Sequence, residues 1–147
     1  MSVPSSERKE ASTKFLYEIY ELNIWLAQTC NNGPKKYKAN YGDFIIRTGL
    51  EALQLAQYAN SIYISANMYE ESFIEREMCL KKAESLIDNL STTCQIYFEL
   101  FHENGTSNDK IAHKKEHIGS KANEIISLLK GVQKSDKERY KKFKLQQ

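Results

Sequence analysis

The chain has 147 residues, of which 41% are hydrophobic and 27% are charged, values ordinary for a single soluble globular domain. No stretch of about 18 apolar residues is present, so no membrane span is predicted, and the polar segment Met1–Ser12 has no apolar signal core. The net charge of +2 is unevenly divided, because residues 1–107 carry −4 and residues 108–147 carry +6. We therefore expect a cytoplasmic protein with a basic C-terminal segment. That segment either contacts nucleic acid or an acidic protein face, or is simply a solvated helix face.

A first helix is predicted from a start between Ser6 and Ser12 to about Thr29, after a polar N-terminus expected to be disordered over residues 1–6. Its apolar stripe has the three-and-four spacing of a helix face that packs on a core, at Phe15, Ile19, Leu22 and Leu26. Trp25 lies beside the stripe, where we expect it at a helix–helix edge rather than in a ligand site. The segment Asn31-Asn32-Gly33-Pro34 has the Gly and Pro that end helices.

A basic and aromatic junction follows, Lys35-Lys36-Tyr37-Lys38-Ala39-Asn40-Tyr41-Gly42. Three lysines and two tyrosines at this density have the chemistry to hold phosphate and stack bases. They also fit a solvated loop whose tyrosines fix the start of the second helix. The sequence leaves both interpretations open.

The second helix is predicted from about Tyr41 to Met68. Its expected buried set is Phe44, Ile45, Leu50, Leu53, Ala56, Ala59, Ile62, Tyr63 and Ala66. Small residues lie along one face at Ala52, Ala56 and Ala59, with Gly49 before them, which lets another helix approach closely. A face this broad indicates either a neighbouring subunit in addition to the bundle, or one tightly packed bundle.

The third helix is predicted from about Ser72 to Phe101, without an internal Gly or Pro. Its seam has the spacing of a helix that packs along its whole length, at Phe73, Leu80, Ala83, Ile87, Leu90, Cys94, Tyr97 and Phe101. About 30 residues at 1.5 Å each make a helix of about 45 Å. Such a seam requires partner helices of similar length.

The fourth helix is predicted from Lys110 to about Lys130, capped by Ser107 or Asn108. Its seam consists of Ile111, Ile118, Ala122, Ile125, Leu129 and Val132, with Lys115 at the missing step. Residues 133–147 are predicted to be a basic tail, either frayed helix or disordered. The sequence thus predicts an all-α fold, an antiparallel up-down-up-down four-helix bundle over residues 1–132.

No enzyme, metal or cofactor is predicted. The odd count of cysteines (Cys30, Cys79, Cys94) matches no zinc or redox spacing and indicates reduced thiols. His113-Lys114-Lys115-Glu116-His117 has the H-x-x-E-H pattern of inverted zinc proteases, but it lacks a third ligand and carries two lysines between the histidines. One Glu-x-x-His pair, Glu99 to His102, has no second copy, whereas a di-iron bundle requires two.

Two stretches carry a family resemblance. Gly33-Pro34-Lys35-Lys36-Tyr37-Lys38, followed by Tyr41-Gly42-Asp43-Phe44-Ile45, resembles the junction of the first two helices in the accessory variability determinant (Avd) of diversity-generating retroelements and in the related 23S rRNA intervening-sequence proteins. A third helix with Arg76, Leu80, Ala83, Leu86, Ile87 and Leu90, and the closing Leu128-Leu129-Lys130-Gly131, also fit that four-helix-bundle family.

The resemblance implies a homopentamer whose basic surface contacts RNA or DNA and which binds the retroelement's reverse transcriptase during mutagenic retrohoming. The basic positions that match are Lys35, Lys36, Lys38, Arg47 and Arg76, and charge alone adds Lys114 and Lys121 on the fourth helix. The alternative is a bundle of the same fold that acts by protein–protein contact, without a nucleic-acid role.

Overall fold

Four long helices make up most of the chain in the computed structural model, which describes the backbone of residues 5–146 and the side chains of residues 13–146. They are α1 (Ser5–Cys30), α2 (Asp43–Ser61), α3 (Tyr69–Glu99) and α4 (Asn108–Leu145). A single helical turn (Lys35–Tyr37) and a π-helical turn (Lys38–Gly42) lead into α2, and a 3-10 segment (Leu100–Asn104) follows α3. The all-α prediction is therefore confirmed for the described residues, none of whose helices is long and apolar enough to cross a membrane.

The helices pack against one another in a ring, α1 on α2, α2 on α3, α3 on α4, and α4 on α1. Polar contacts join them in a regular order along the sequence. These contacts are Asn23 to the Gly49 carbonyl (3.0 Å), Arg76 to the Ala59 carbonyl (2.8 Å), Gln95 to the Lys115 carbonyl (2.9 Å), Gln133 to Glu84 (2.9 Å) and Arg76 to Asp136 (2.7 Å). As positions on α3 decrease from 95 to 76, their partners on α4 increase from 115 to 136.

The core stripes of three helices lie where the periodicity places them. On α1 all four stripe residues are buried. The predicted seam of the third helix is buried from Leu80 to Tyr97 on α3 and at Phe101 in the 3-10 segment, whereas Phe73 is half-buried. On α4 the seam is buried from Ile111 to Leu129, and Lys115 at the missing step is half-buried and lies 3.0 Å from Glu99. Ser107 caps α4 by accepting a hydrogen bond from the Lys110 amide, as predicted.

The second helix is shorter than predicted, and the set of residues that it buries differs from the predicted set. It ends at Ser61 rather than Met68, and Phe44, Leu50, Tyr63 and Ala66 are exposed instead of buried. Its buried face is made of small residues and one isoleucine: Ile45, Thr48, Gly49, Ala52, Ala56 and Ala59. Because small side chains permit close backbone approach, this face packs on α1 and α3, while Phe44, Leu50 and Tyr58 lie outside and Leu53 and Leu55 are half-buried.

Both ends of the chain are more helical than predicted. Residues 1–4 and 147 lie outside the described residues, but Ser5 and Ser6, expected to be disordered, already belong to α1. The prediction that the fourth helix ends near Lys130 is wrong, because α4 continues to Leu145 with Gln133 and Asp136 buried. Residues 133–145 are thus helix that packs on α3, and the division into a bundle domain and a separate tail stays a prediction.

Candidate nucleic-acid interface

The junction between α1 and α2 lies tightly against one end of the bundle. Pro34 is buried, and Gly33 is so close to α3 that a Cβ atom there would lie 2.1 Å from the Tyr97 hydroxyl oxygen and 2.8 Å from Phe101. The Tyr97 hydroxyl donates a hydrogen bond to the Cys30 carbonyl (3.2 Å), at the last turn of α1. The backbone of the junction is therefore fixed by contacts on both of its sides.

The two tyrosines of the junction are used in packing. The Tyr41 ring is parallel to that of Tyr97, with 6.2 Å between centroids, and the Tyr37 ring meets the Tyr41 ring edge-on at 6.2 Å. Both tyrosines are half-buried against the core. For these rings the structure shows the second of the two alternatives, in which the tyrosines fix the start of the second helix.

The junction's cations differ in their surroundings. The Lys36 ammonium lies 2.7 Å from Glu103 and 5.0 Å from the Tyr37 ring centroid, and its hydrogen bond to Glu103 raises the pKa of Lys36. Lys35 and Lys38 are exposed, and neither forms an ion pair with a described residue. Arg47 is exposed one turn into α2, with a long contact (3.4 Å) from its Nε to the Asp43 carbonyl. Three predicted cations are thus displayed on a fixed backbone.

A shallow cavity lies beside Lys38, between the end of α1 and the start of α2. It has a volume of about 180 Å³ and is lined by Ala27, Cys30, Asn31, Lys38, Gly42, Asp43 and Ile46. Cys30 is almost completely buried there, and burial raises its pKa to about 12, so the thiol is neutral at physiological pH. The cavity has no arrangement of groups that indicates a reaction.

Arg76 is placed inside the bundle rather than on its surface. Its Nε donates to Asp136 (2.7 Å), its Nη1 donates to the Ala59 carbonyl (2.8 Å), and its side chain is only 12% exposed. Burial raises the pKa of Asp136, and the hydrogen bond from Arg76 opposes that rise. This arrangement ties α3 to the end of α2 and to α4, and Arg76 has no contact that supports a role in binding a partner.

The two predicted cations of α4 are half-buried. The Lys121 ammonium bonds to Glu18 of α1 and lies 3.6 Å from Glu124, and the hydrogen bond to Glu18 raises the pKa of Lys121. Lys114 forms no ion pair with a described residue. Lys121 therefore stabilises the contact between α1 and α4, and only Lys114 of this pair is available to a partner.

The predicted site residues do not all come together. The junction that carries Lys35, Lys36 and Lys38 packs on Tyr97 through Gly33 and Tyr41, whereas Arg76 lies 21 residues earlier on α3, about 30 Å away along the helix. A group outside the predicted set of site residues contains more exposed cations than the junction does. It comprises six exposed residues on the last three turns of α4: Lys134, Lys137, Arg139, Lys141, Lys142 and Lys144. The excess of positive charge in residues 108–147 indicates this segment from the sequence alone. The prediction of a tail that is either frayed helix or disordered did not anticipate that these residues lie on a packed helix.

The residues of the H-x-x-E-H pattern lie on the exposed side of α4. His113, Glu116 and His117 are exposed, and the His117 ring packs on Trp25 with 4.4 Å between centroids. Within the described side chains, no group of three or more His, Cys, Asp or Glu residues is arranged to hold a metal ion. Trp25 also meets Phe98 edge-on at 5.6 Å, so it lies at a helix–helix edge as predicted.

Comparison with known proteins does not identify the chain, since no family model, curated protein or solved structure matches it. The resemblance to Avd therefore depends on the sequence motifs alone. The structure adds a physical reason for part of the junction motif, because Gly33, Pro34 and Tyr41 pack against the bundle while Lys35 and Lys38 remain exposed.

Proposed function

We propose that this chain is a non-enzymatic, oligomeric accessory protein of a diversity-generating retroelement, one that binds the reverse transcriptase and its RNA or cDNA during mutagenic retrohoming in the cytoplasm. The observation that supports its nucleic-acid role is the exposure of Lys35 and Lys38 on the fixed junction and of Arg47 one turn into α2. Exposed cations that form no ion pair within the protein can bind phosphates and release counterions, which is the main source of sequence-independent affinity. No cofactor or membrane partner belongs to this proposal.

The proposed arrangement of the bundle is antiparallel, up-down-up-down. The order of the contacts between α3 and α4 supports it, since decreasing positions on one helix meet increasing positions on the other. Short connections between successive helices support it as well, because they favour antiparallel neighbours.

The proposed homo-oligomer has support from an exposed stripe on α1. Tyr17, Tyr20 and Ile24 share its outer face and are 59%, 53% and 39% exposed. Contiguous apolar side chains left in water mark interaction surfaces. The number of five subunits comes from the resemblance alone.

The experiment for the nucleic-acid role is a titration of a fluorescent uridine oligomer of about 16 nucleotides across a salt series. The wild-type protein should bind with a strong salt dependence. The variant Lys35→Gln/Lys38→Gln/Arg47→Gln should reduce the slope of log K against log salt by about 2, since each lost contact with single strands contributes about 0.7.

The matched control is Lys14→Gln/Lys81→Gln/Lys82→Gln, which makes the same change in net charge at exposed positions away from the junction. Its affinity should stay within about twofold of wild type. Copurification with the reverse transcriptase of a diversity-generating retroelement tests the second partner. Failure of the wild-type protein to bind RNA at low salt would contradict the nucleic-acid role. Failure of the reverse transcriptase to copurify would contradict its proposed role as a partner.

A second candidate is a protein–protein interaction module without a nucleic-acid role. The placement of Arg76, Lys36 and Lys121 in intramolecular ion pairs favours it, because these cations are already neutralised. Oligomerisation without salt-dependent binding to RNA would identify this alternative.

A further inference from the structure

The inner face of the last three turns of α4 packs on α3. Asp136 binds Arg76, and the Tyr140 ring stacks on Phe73 with 4.6 Å between centroids. Tyr69 contacts both Tyr140 (5.5 Å) and Phe143 (5.9 Å). These contacts recur every three or four residues along α4, so they fix the rotation of the helix about its axis.

The outer face of the same segment is almost entirely cationic. Its exposed charged residues are Lys134, Lys137, Lys141, Lys142, Lys144, Arg139 and Glu138. Glu138 is the one exposed acid among them, because the other acid of these turns, Asp136, is buried on Arg76. Glu70 and Glu71 begin the neighbouring α3, yet neither they nor any other described carboxylate forms an ion pair with these cations.

Four of the lysines form a row. Lys134, Lys137, Lys141 and Lys144 have spacings of three, four and three, which place them on one side of the helix. The row is about 15 Å long at 1.5 Å per residue. Because Tyr140 and Phe143 fix the inner face, the helix backbone holds the attachment points of the four lysines in a line, and their exposed side chains extend from it.

We infer that these four lysines, which we call the lysine row, form a binding surface for the phosphate backbone of single-stranded RNA or DNA that reads no base sequence. Five lysines to one arginine favour contacts with single phosphates, since lysine is a compact point charge and arginine is suited to paired contacts. Insertion into a membrane is disfavoured, because the aromatic side of the segment is covered by α3.

The inference rests on the proposed nucleic-acid role and assigns its main surface to α4 rather than to the junction. The test uses the full chain and the same uridine oligomer over about 50 to 200 mM salt. The variant is Lys134→Gln/Lys137→Gln/Lys141→Gln/Lys144→Gln. Four lost contacts at about 0.7 each should reduce the salt slope by about 3 and weaken binding more than tenfold at the lowest salt.

The control Lys14→Gln/Lys81→Gln/Lys82→Gln/Lys110→Gln removes the same four charges from exposed sites elsewhere, and should bind within about twofold of wild type. Circular dichroism of both variants should match wild type, because glutamine and lysine have similar helix propensities. Wild-type binding that survives in the row variant, or is lost equally in the control, would overturn the lysine row and leave the proposed function standing. A wild-type protein without RNA binding would overturn both.

Discussion

Replacing Gly33 by alanine should lower the free energy of unfolding by about 3 kcal/mol. The new methyl group would lie 2.1 Å from the Tyr97 hydroxyl oxygen and 2.5 Å from the ring carbon that bears it. Tyr97 is completely buried, and its ring is confined by Tyr41, Phe98 and Phe101. A shift of the ring would also break its hydrogen bond to the Cys30 carbonyl. Chemical denaturation followed by circular dichroism measures the effect.

Gly131→Ala is the matched control, because a Cβ atom there meets nothing within 4 Å and the position is inside α4. Alanine in a helix is favoured over glycine by about 1 kcal/mol, so this variant should be more stable than wild type. The same substitution thus has opposite signs at two sites. Equal stability of Gly33→Ala and wild type would show that the junction does not lie as close to Tyr97 as described.

Replacing Arg76 by methionine should cost about 3 to 5 kcal/mol, the usual result of removing one partner from a buried ion pair. Asp136 would remain 4% exposed without its cation, and the Ala59 carbonyl would lose its donor. The end of α2 and the C-terminal turns of α4 should both loosen. Denaturation gives the energy, and hydrogen exchange of the amides in α4 locates the loosened segment.

Two further variants show whether the ion pair is the cause. Arg76→Met/Asp136→Leu removes both charges and should recover most of the lost stability, because no uncompensated charge stays buried. Lys82→Met breaks an exposed pair with Glu51 (3.7 Å) and should change stability by less than about 1 kcal/mol. A double variant as unstable as the single one would contradict this account of Arg76.

Periodicity predicts the large apolar stripes of this fold well. The four stripe residues of α1, Phe15, Ile19, Leu22 and Leu26, are all buried, because a stripe of large apolar residues is removed from water only when it faces the core. On α2 it is only partly right: Ile45, Ala56 and Ala59 are buried as predicted, whereas Leu50 is 47% exposed and Ala52, outside the predicted buried set, is fully buried. The close approach of α1 and α3 to this face leaves room only for small residues. A prediction from hydrophobicity alone places leucine in the core before alanine, so it cannot anticipate this.

The continuation of α4 past Gly131 depends on a partner that is distant in sequence. Asp136 on an inner stripe is unfavourable by itself, and only the pairing with Arg76, 60 residues away, makes the burial possible. The same contact explains why Arg76 is not a surface cation. Among the junction residues, the exposure of Lys35 and Lys38 agrees with their prediction as surface cations, whereas the ion pair of Lys36 requires Glu103 of a different segment.

The most direct test of the central claim, an oligomeric accessory protein that binds RNA, is the absolute mass in solution by light scattering on a sizing column, with and without the uridine oligomer. The chain has a mass of 17.0 kDa, so the proposed pentamer would be about 85 kDa. We expect a mass near that value at low salt and an increase when RNA is added. A mass near 17 kDa that RNA does not change would contradict the account.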